Sequence, residues 1–205
     1  MNLIRTIQLQ DLIKEVGKKN AKKYLSDFSC PLNKDIENFI REKSIPFECA
    51  GMARTTLVFL QDNTSNPKLV AFYSITTSKI NLDNINKGNK RKLIGTSYAV
   101  GNEISAILIG QLSKNYAYDY DKLISGKTLM GLVFKRIYEI DKMVPSILTY
   151  VDFQDISKLK SYYKSYGFEY LRTNTTKNET LLCYVIQTKK IIDKVDSTYT
   201  TFNEQ

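Results

Sequence analysis

The chain has 205 residues, 42% hydrophobic and 25% charged, which suits a globular protein with one sizeable core. It contains no histidine, so Ser-His-Asp and Cys-His catalysis, His-ligated metals and histidine general bases are excluded. The formal net charge of +9 attracts polyphosphates without choosing among small cofactors, nucleotides and nucleic acid.

No run approaches the roughly 20 apolar residues of a transmembrane helix. The opening Met1-Asn2-Leu3-Ile4-Arg5-Thr6 lacks the basic-then-apolar order of a secretory signal, so a cytoplasmic protein without membrane contact is expected. Cys30, Cys49 and Cys183 are odd in number and far apart, which predicts reduced, mostly buried thiols.

In chain order, Leu3–Leu9 predicts a short strand. Gln10–Leu25 predicts a helix carrying Leu12, Ile13 and Val16 at helical spacing. Asn33 is the expected cap of a helix to about Lys43, with Ile36, Phe39 and Ile40 on one face and Pro46 as its limit. Arg54–Gln61 and Lys68–Ile80 form a predicted hairpin across the turn residues Asp62–Asn66. Asn81–Gly101 is polar, with Lys87, Lys90, Arg91 and Lys92, and reads as a mobile excursion.

Glu103–Lys114 is the most apolar strand and is expected at the centre. A tyrosine-rich loop, Asn115–Lys122, leads to the best helix in the chain, Ser125–Asp141. Then follow a strand at Ser146–Val151, a short helix at Ile156–Tyr166 ending on Gly167, and strands at Phe168–Arg172 and Thr180–Gln187. The expectation is an α/β fold with a single domain over residues 1–187 and a frayed polar tail at 188–205.

Two segments point to chemistry. Ser125-Gly126-Lys127-Thr128 opens a helix, whose free N–H groups and dipole suit a phosphate, with Lys122 and Lys127 adding charge. A nucleotide P-loop is excluded, because the glycine it needs five residues before Gly126 is Asp121. Ser161-Tyr162-Tyr163-Lys164-Ser165-Tyr166-Gly167-Phe168 runs from helix end to strand, and a phenol there can donate a proton to a departing thiolate.

Tyr162-Tyr163-x-x-x-Gly167-Phe168 resembles the F-Y-x-x-x-G-F end of the acetyl-CoA motif in the GNAT superfamily of N-acetyltransferases. Ile107-Leu108-Ile109-Gly110-Gln111-Leu112-Ser113-Lys114 is similar to the strand that binds pantetheine in that family. Phe28-x-Cys30, Ile36-x-x-Phe39-Ile40-Arg41 and Arg54-Thr55-Thr56-Leu57-Val58 are similar to a subgroup containing acetyltransferase toxins of toxin–antitoxin pairs. The pyrophosphate pattern is worn: of Asp121-Lys122-Leu123-Ile124-Ser125-Gly126, only the last glycine matches.

The resemblance implies a mixed, mostly antiparallel sheet with a central splayed strand pair, flanked by helices. It implies acetyl-CoA as co-substrate, no metal, and a primary amine as acceptor. Tyr163 is the implied general acid. Leu112, Ser113, Lys114, Lys122, Ser125, Gly126, Lys127 and Thr128 are the implied cofactor contacts, and Arg54 a substrate contact. The toxin subgroup implies aminoacyl-tRNA as acceptor and an antitoxin partner, and leaves a homodimer open. A non-catalytic nucleic-acid-binding protein on the same fold is the alternative.

Overall fold

The computed structural model describes residues 3–61, 66–83, 85–95, 101–175 and 179–203, with side chains as far as 197. Its strands are β1 (Leu3–Gln8), β2 (Arg54–Gln61), β3 (Lys68–Asn81), β4 (Glu103–Lys114), β5 (Leu148–Gln154), β6 (Glu169–Thr175) and β7 (Thr180–Gln187). Its helices are α1 (Leu9–Ser26), α2 (Lys34–Asn38), α3 (Ser44–Cys49), α4 (Lys87–Ile94), α5 (Gly126–Asp141), α6 (Ser157–Ser165) and α7 (Thr188–Asn203). The strands form one sheet in the order β1-β2-β3-β4-β5-β7-β6, which puts β4 at its centre as expected.

The pairs β1–β2, β2–β3, β5–β7 and β6–β7 are antiparallel. β4 and β5 are parallel, and their register covers only Ala106–Leu108 against Leu148–Tyr150. Both strands continue beyond it, β4 to Lys114 and β5 to Gln154. This is the mixed, mostly antiparallel, helix-flanked sheet that the sequence predicts.

The chain forms two compact units, Met1–Thr76 with Ile109–Leu132, and Thr77–Leu108 with Val133–Gln205. In the first, α1 and the Phe39–Ile40 turn bury Leu9, Leu12, Leu25 and Phe28 against Leu57, Phe59 and Phe72 of the sheet. Phe72 takes Phe28 edge-on at 5.1 Å between ring centres and stacks with Phe39 at 6.2 Å. In the second, Ile80, Leu82, Ile94, Ile104, Leu148 and Val185 form a core in which Tyr150 and Cys183 take part.

Several expectations are corrected. The helix after Asn33 passes Pro46: a π-helical turn over Phe39–Lys43 joins α2 to α3. Ser44 N–H reaches the Phe39 carbonyl, and the Ser44 hydroxyl takes the Ile40 carbonyl at 2.7 Å. Pro46 thereby falls just after the π-helical turn, in the first turn of α3. Helix α1 is interrupted at Gly17, whose φ of 79° lies in the left-handed region.

The polar excursion contains α4, capped by Asn86 through the Asn89 N–H at 2.9 Å and anchored by the buried Ile94. Its composition hid it, because only Leu93 and Ile94 meet the core. The C-terminal tail is helical as α7 and buries Ile191 completely. Much of the tyrosine-rich loop is a 3₁₀ segment, Ala117–Leu123. Cys49 is exposed, while Cys30 and Cys183 are buried. Most of the predicted turn, residues 62–65, lies outside the described residues. No described helix is long and apolar enough to cross a membrane.

Candidate active site

The first unit carries the end of β4 and the connection into α5. Asn115, 3% exposed, ties that connection together. Its Oδ1 accepts the Ser29 and Ala117 N–H groups at 2.9 and 3.0 Å, and its Nδ2 donates to the Leu69 carbonyl at 2.8 Å. Its own N–H donates to the Val70 carbonyl at 2.8 Å. Lys114 turns inward: its Nζ donates to the Asp121 carbonyl and, at 3.3 Å, to that of Ile124. The Ser113 hydroxyl donates to the Lys114 carbonyl at 2.8 Å and meets Cys30 Sγ at 3.4 Å. Leu112 is half-buried.

Tyr118 and Asp119 adopt left-handed φ of 54° and 59°, which turns the chain tightly. Lys122 pairs with Asp119 at 3.0 Å, and that partner holds its ammonium above the usual lysine range. Ser125 caps α5: its Oγ accepts the Thr128 N–H at 2.9 Å and meets the Thr128 hydroxyl at 2.8 Å. Gly126 beside it is half-buried, and Lys127 is exposed. Lys127 has no ion pair among the described residues, whereas Lys114 and Lys122 are already engaged. The start of α5 thus offers helix dipole and one uncommitted ammonium to an anion.

Arg54 has a structural attachment. Its Nη1 donates to Glu48 Oε1 at 2.9 Å and to the Glu48 carbonyl at 3.1 Å, while Glu48 Oε2 accepts the Thr55 N–H at 2.8 Å. The guanidinium closes α3 onto the start of β2 and balances a carboxylate whose side chain is 2% exposed.

The second unit carries Tyr163 on α6. Gly167, at φ 90°, ends the helix in a conformation that disfavours a side chain, and the Phe168 N–H returns to the Tyr163 carbonyl at 3.2 Å. Phe168 then enters the core. The Tyr163 ring stacks on Phe153 at 4.8 Å and meets Tyr162 and Phe168 edge-on at 5.3 and 5.7 Å. Burial pushes the Tyr163 phenol well above its ordinary range, so it stays protonated at any working pH. The motif thus encodes a turn and an aromatic socket that fix one phenol.

Sequence reasoning missed a polar row across β5, β7 and β6 of the same unit. Asp152 of β5 and Arg172 of β6 both stand opposite Cys183 of β7. The Asp152 carboxylate interacts with the Cys183 thiol, and Asn174 Nδ2 donates to it at 3.4 Å. Arg172 is committed elsewhere: Nε donates to Asn174 Oδ1 at 2.9 Å and Nη1 to the Asn81 carbonyl at 2.8 Å. Burial raises the Asp152 carboxyl above its usual range, against smaller opposing effects of Cys183, Arg172 and Asn174. Cys183 is raised by burial and by Asp152. The available signal was a lone carboxylate inside the apolar run Leu148-Thr149-Tyr150-Val151-Asp152-Phe153.

No protein-family profile and no curated protein matches the sequence. Solved structures do match. One described as a bacterial toxin has a TM-score of 0.67 at 16% identity, over 96% of this chain and 97% of that one. AtaT complexed with acetyl-methionyl-tRNAfMet has 0.64 at 17%, over 92% and 97%. A mutant AtaT toxin bound to acetyl-CoA and the C-terminus of the antitoxin AtaR has 0.57 at 15%, over 93% and 95%. The chain therefore shares the fold of these toxins over nearly its whole described length, the GNAT-like fold expected from its sequence.

Proposed function

We propose that the protein is an N-acetyltransferase that moves an acetyl group from acetyl-CoA to a primary amine, with aminoacyl-tRNA as the acceptor class. The observation that carries this reading is the shared fold with AtaT in complex with acetyl-methionyl-tRNAfMet, supported by a buried Tyr163 whose phenol pKa is raised by that burial. An antitoxin partner, a homodimer and a cytoplasmic place of action belong to the same reading.

The residues fit such a co-substrate in part. The start of α5, with Gly126 and Lys127, suits the pyrophosphate. The Ile109–Lys114 stretch of β4 suits the pantetheine amides, which a strand binds as it would another strand. Acetyl-CoA supplies an activated thioester. In this reading Tyr163 would give a phenolic proton to the departing sulfur, and backbone N–H groups of Leu112–Lys114 would be the donors to an acyl oxygen.

The test is a thermal shift with acetyl-CoA, followed by release of free thiol with an amine acceptor. Binding at a hundredfold excess over Kd stabilises by about 2.7 kcal/mol. Tyr163→Phe should keep that shift and lose roughly 10²- to 10⁴-fold in turnover; unchanged turnover removes Tyr163 from the chemistry. The inward turn of Lys114 and the surface pairing of Lys122 with Asp119 favour a second reading, a non-catalytic RNA-binding protein. That reading predicts RNA binding with no acetyl-CoA shift.

A further inference from the structure

We infer that Asp152 receives the acceptor's ammonium group and takes its proton before the amine attacks. The inference rests on the acetyl-transfer reading above and supplies the base that the sequence did not reveal.

A carboxylate partly removed from water requires compensation. Two other inward carboxylates, Glu48 and Glu37, have it in full. Glu48 holds Arg54 and the Thr55 N–H, and Glu37 holds Lys34, Arg41 and the Cys30 N–H. Asp152 has no ion pair among the described residues, and its partners are a thiol and one long amide bond of 3.4 Å. Arg172 sits in the same row and acts on Asp152 through its charge, while its Nε and Nη1 donate to Asn174 and the Asn81 carbonyl. A cation supplied from outside would complete the site.

The strand position agrees. The β4–β5 register ends at Leu108 and Tyr150, so Asp152 lies on the part of β5 beyond that parallel pairing. Its neighbour Phe153 faces the other side and stacks on Tyr163. Successive residues of a strand point to opposite faces. β5 therefore carries the proposed proton acceptor next to Phe153, the residue against which the proposed proton donor Tyr163 is stacked.

The charged and titratable groups around Asp152 are Cys183 on β7, Arg172 on β6 and Tyr150 on β5 itself. Burial moves the carboxyl up from 3.8, toward the range in which a base acts on an ammonium. The balance is simple. The ammonium gives one proton to Asp152, which later passes it to water. The freed amine forms the C–N bond, the C–S bond breaks, and sulfur takes the Tyr163 proton. The amide nitrogen returns its surplus proton to the Tyr163 phenolate.

The experiment uses the full chain and alanine methyl ester, a small α-amino ester. Adding the ester should move the Asp152 carboxyl carbon resonance, and an unmoved resonance at saturating ester overturns the site. Asp152→Asn should keep the acetyl-CoA thermal shift and lose roughly 10²- to 10³-fold in kcat/KM. That loss should shrink as pH passes the ester's own pKa, and Asp152→Glu should recover part of it. A wild-type pH profile in Asp152→Asn overturns the base role. A wild-type protein without an acetyl-CoA shift overturns the transfer reading and the base role with it, while a moved resonance still supports the ammonium site.

Discussion

Three carboxylates show how one residue type serves different ends. Glu37 accepts the Cys30 N–H and faces Lys34 and Arg41, which together hold its carboxyl below the usual range. Glu48 is closed by Arg54 and joins α3 to β2. Asp152 alone is raised, chiefly by burial, and that has a consequence for stability. Unfolded, it titrates near 3.8; folded, it titrates higher. Below both values the group is protonated in either state and costs nothing. As pH rises through the folded value, the native chain must ionise it in a half-buried place, and stability falls. Asp152→Asn should therefore melt above wild type near neutral pH, and the gap should close below about pH 3.8. Equal melting temperatures at pH 7 would show that the carboxylate is fully solvated.

At the scale of elements, α4 and the connection after β4 depend on single contacts. Gly95 ends α4 at φ 67°, and a Cβ there would lie 3.0 Å from the Gln187 side chain, which itself donates to the Lys92 carbonyl at 2.8 Å. Gly95→Ala should cost about 1–2 kcal/mol in urea unfolding. Gly88 lies inside the same helix with only Asn86 Oδ1 nearby at 3.6 Å, so Gly88→Ala should stabilise by about 0.5–1 kcal/mol. The opposite signs test whether α4 is a packed helix. Asn115→Leu strands the Ser29 and Ala117 N–H groups and the Leu69 carbonyl, and should cost about 3 kcal/mol. Faster amide exchange across Ala117–Leu123 would accompany it.

For the whole molecule, the net charge of +9 matters more to partners than to folding. Four of its cations, Lys87, Lys90, Arg91 and Lys92, stand on α4, a helix with no acidic residue. On the proposed aminoacyl-tRNA reading, binding of tRNA should weaken by roughly 10³-fold or more between 50 and 200 mM salt if six or more phosphates are contacted. Salt-independent binding would exclude a backbone-led interaction. Replacing Lys87, Arg91 and Lys92 by glutamate should flatten that salt dependence and leave the acetyl-CoA thermal shift in place.

The sequence by itself determined the order of the strands, the central place of Glu103–Lys114, and the turn at Gly167 that fixes Tyr163. These follow from period, capping and left-handed glycine, which act within a few residues. It missed α4, because a helix that presents only Leu93 and Ile94 to the core has no apolar stripe to read. Tertiary structure alone decided that Lys114 turns to its own loop, that Arg54 serves Glu48, and that Asp152 has no ion-pair partner among the described residues. Each depends on groups brought together across strands or loops, and the state of a charge is set by those neighbours rather than by its place in the chain.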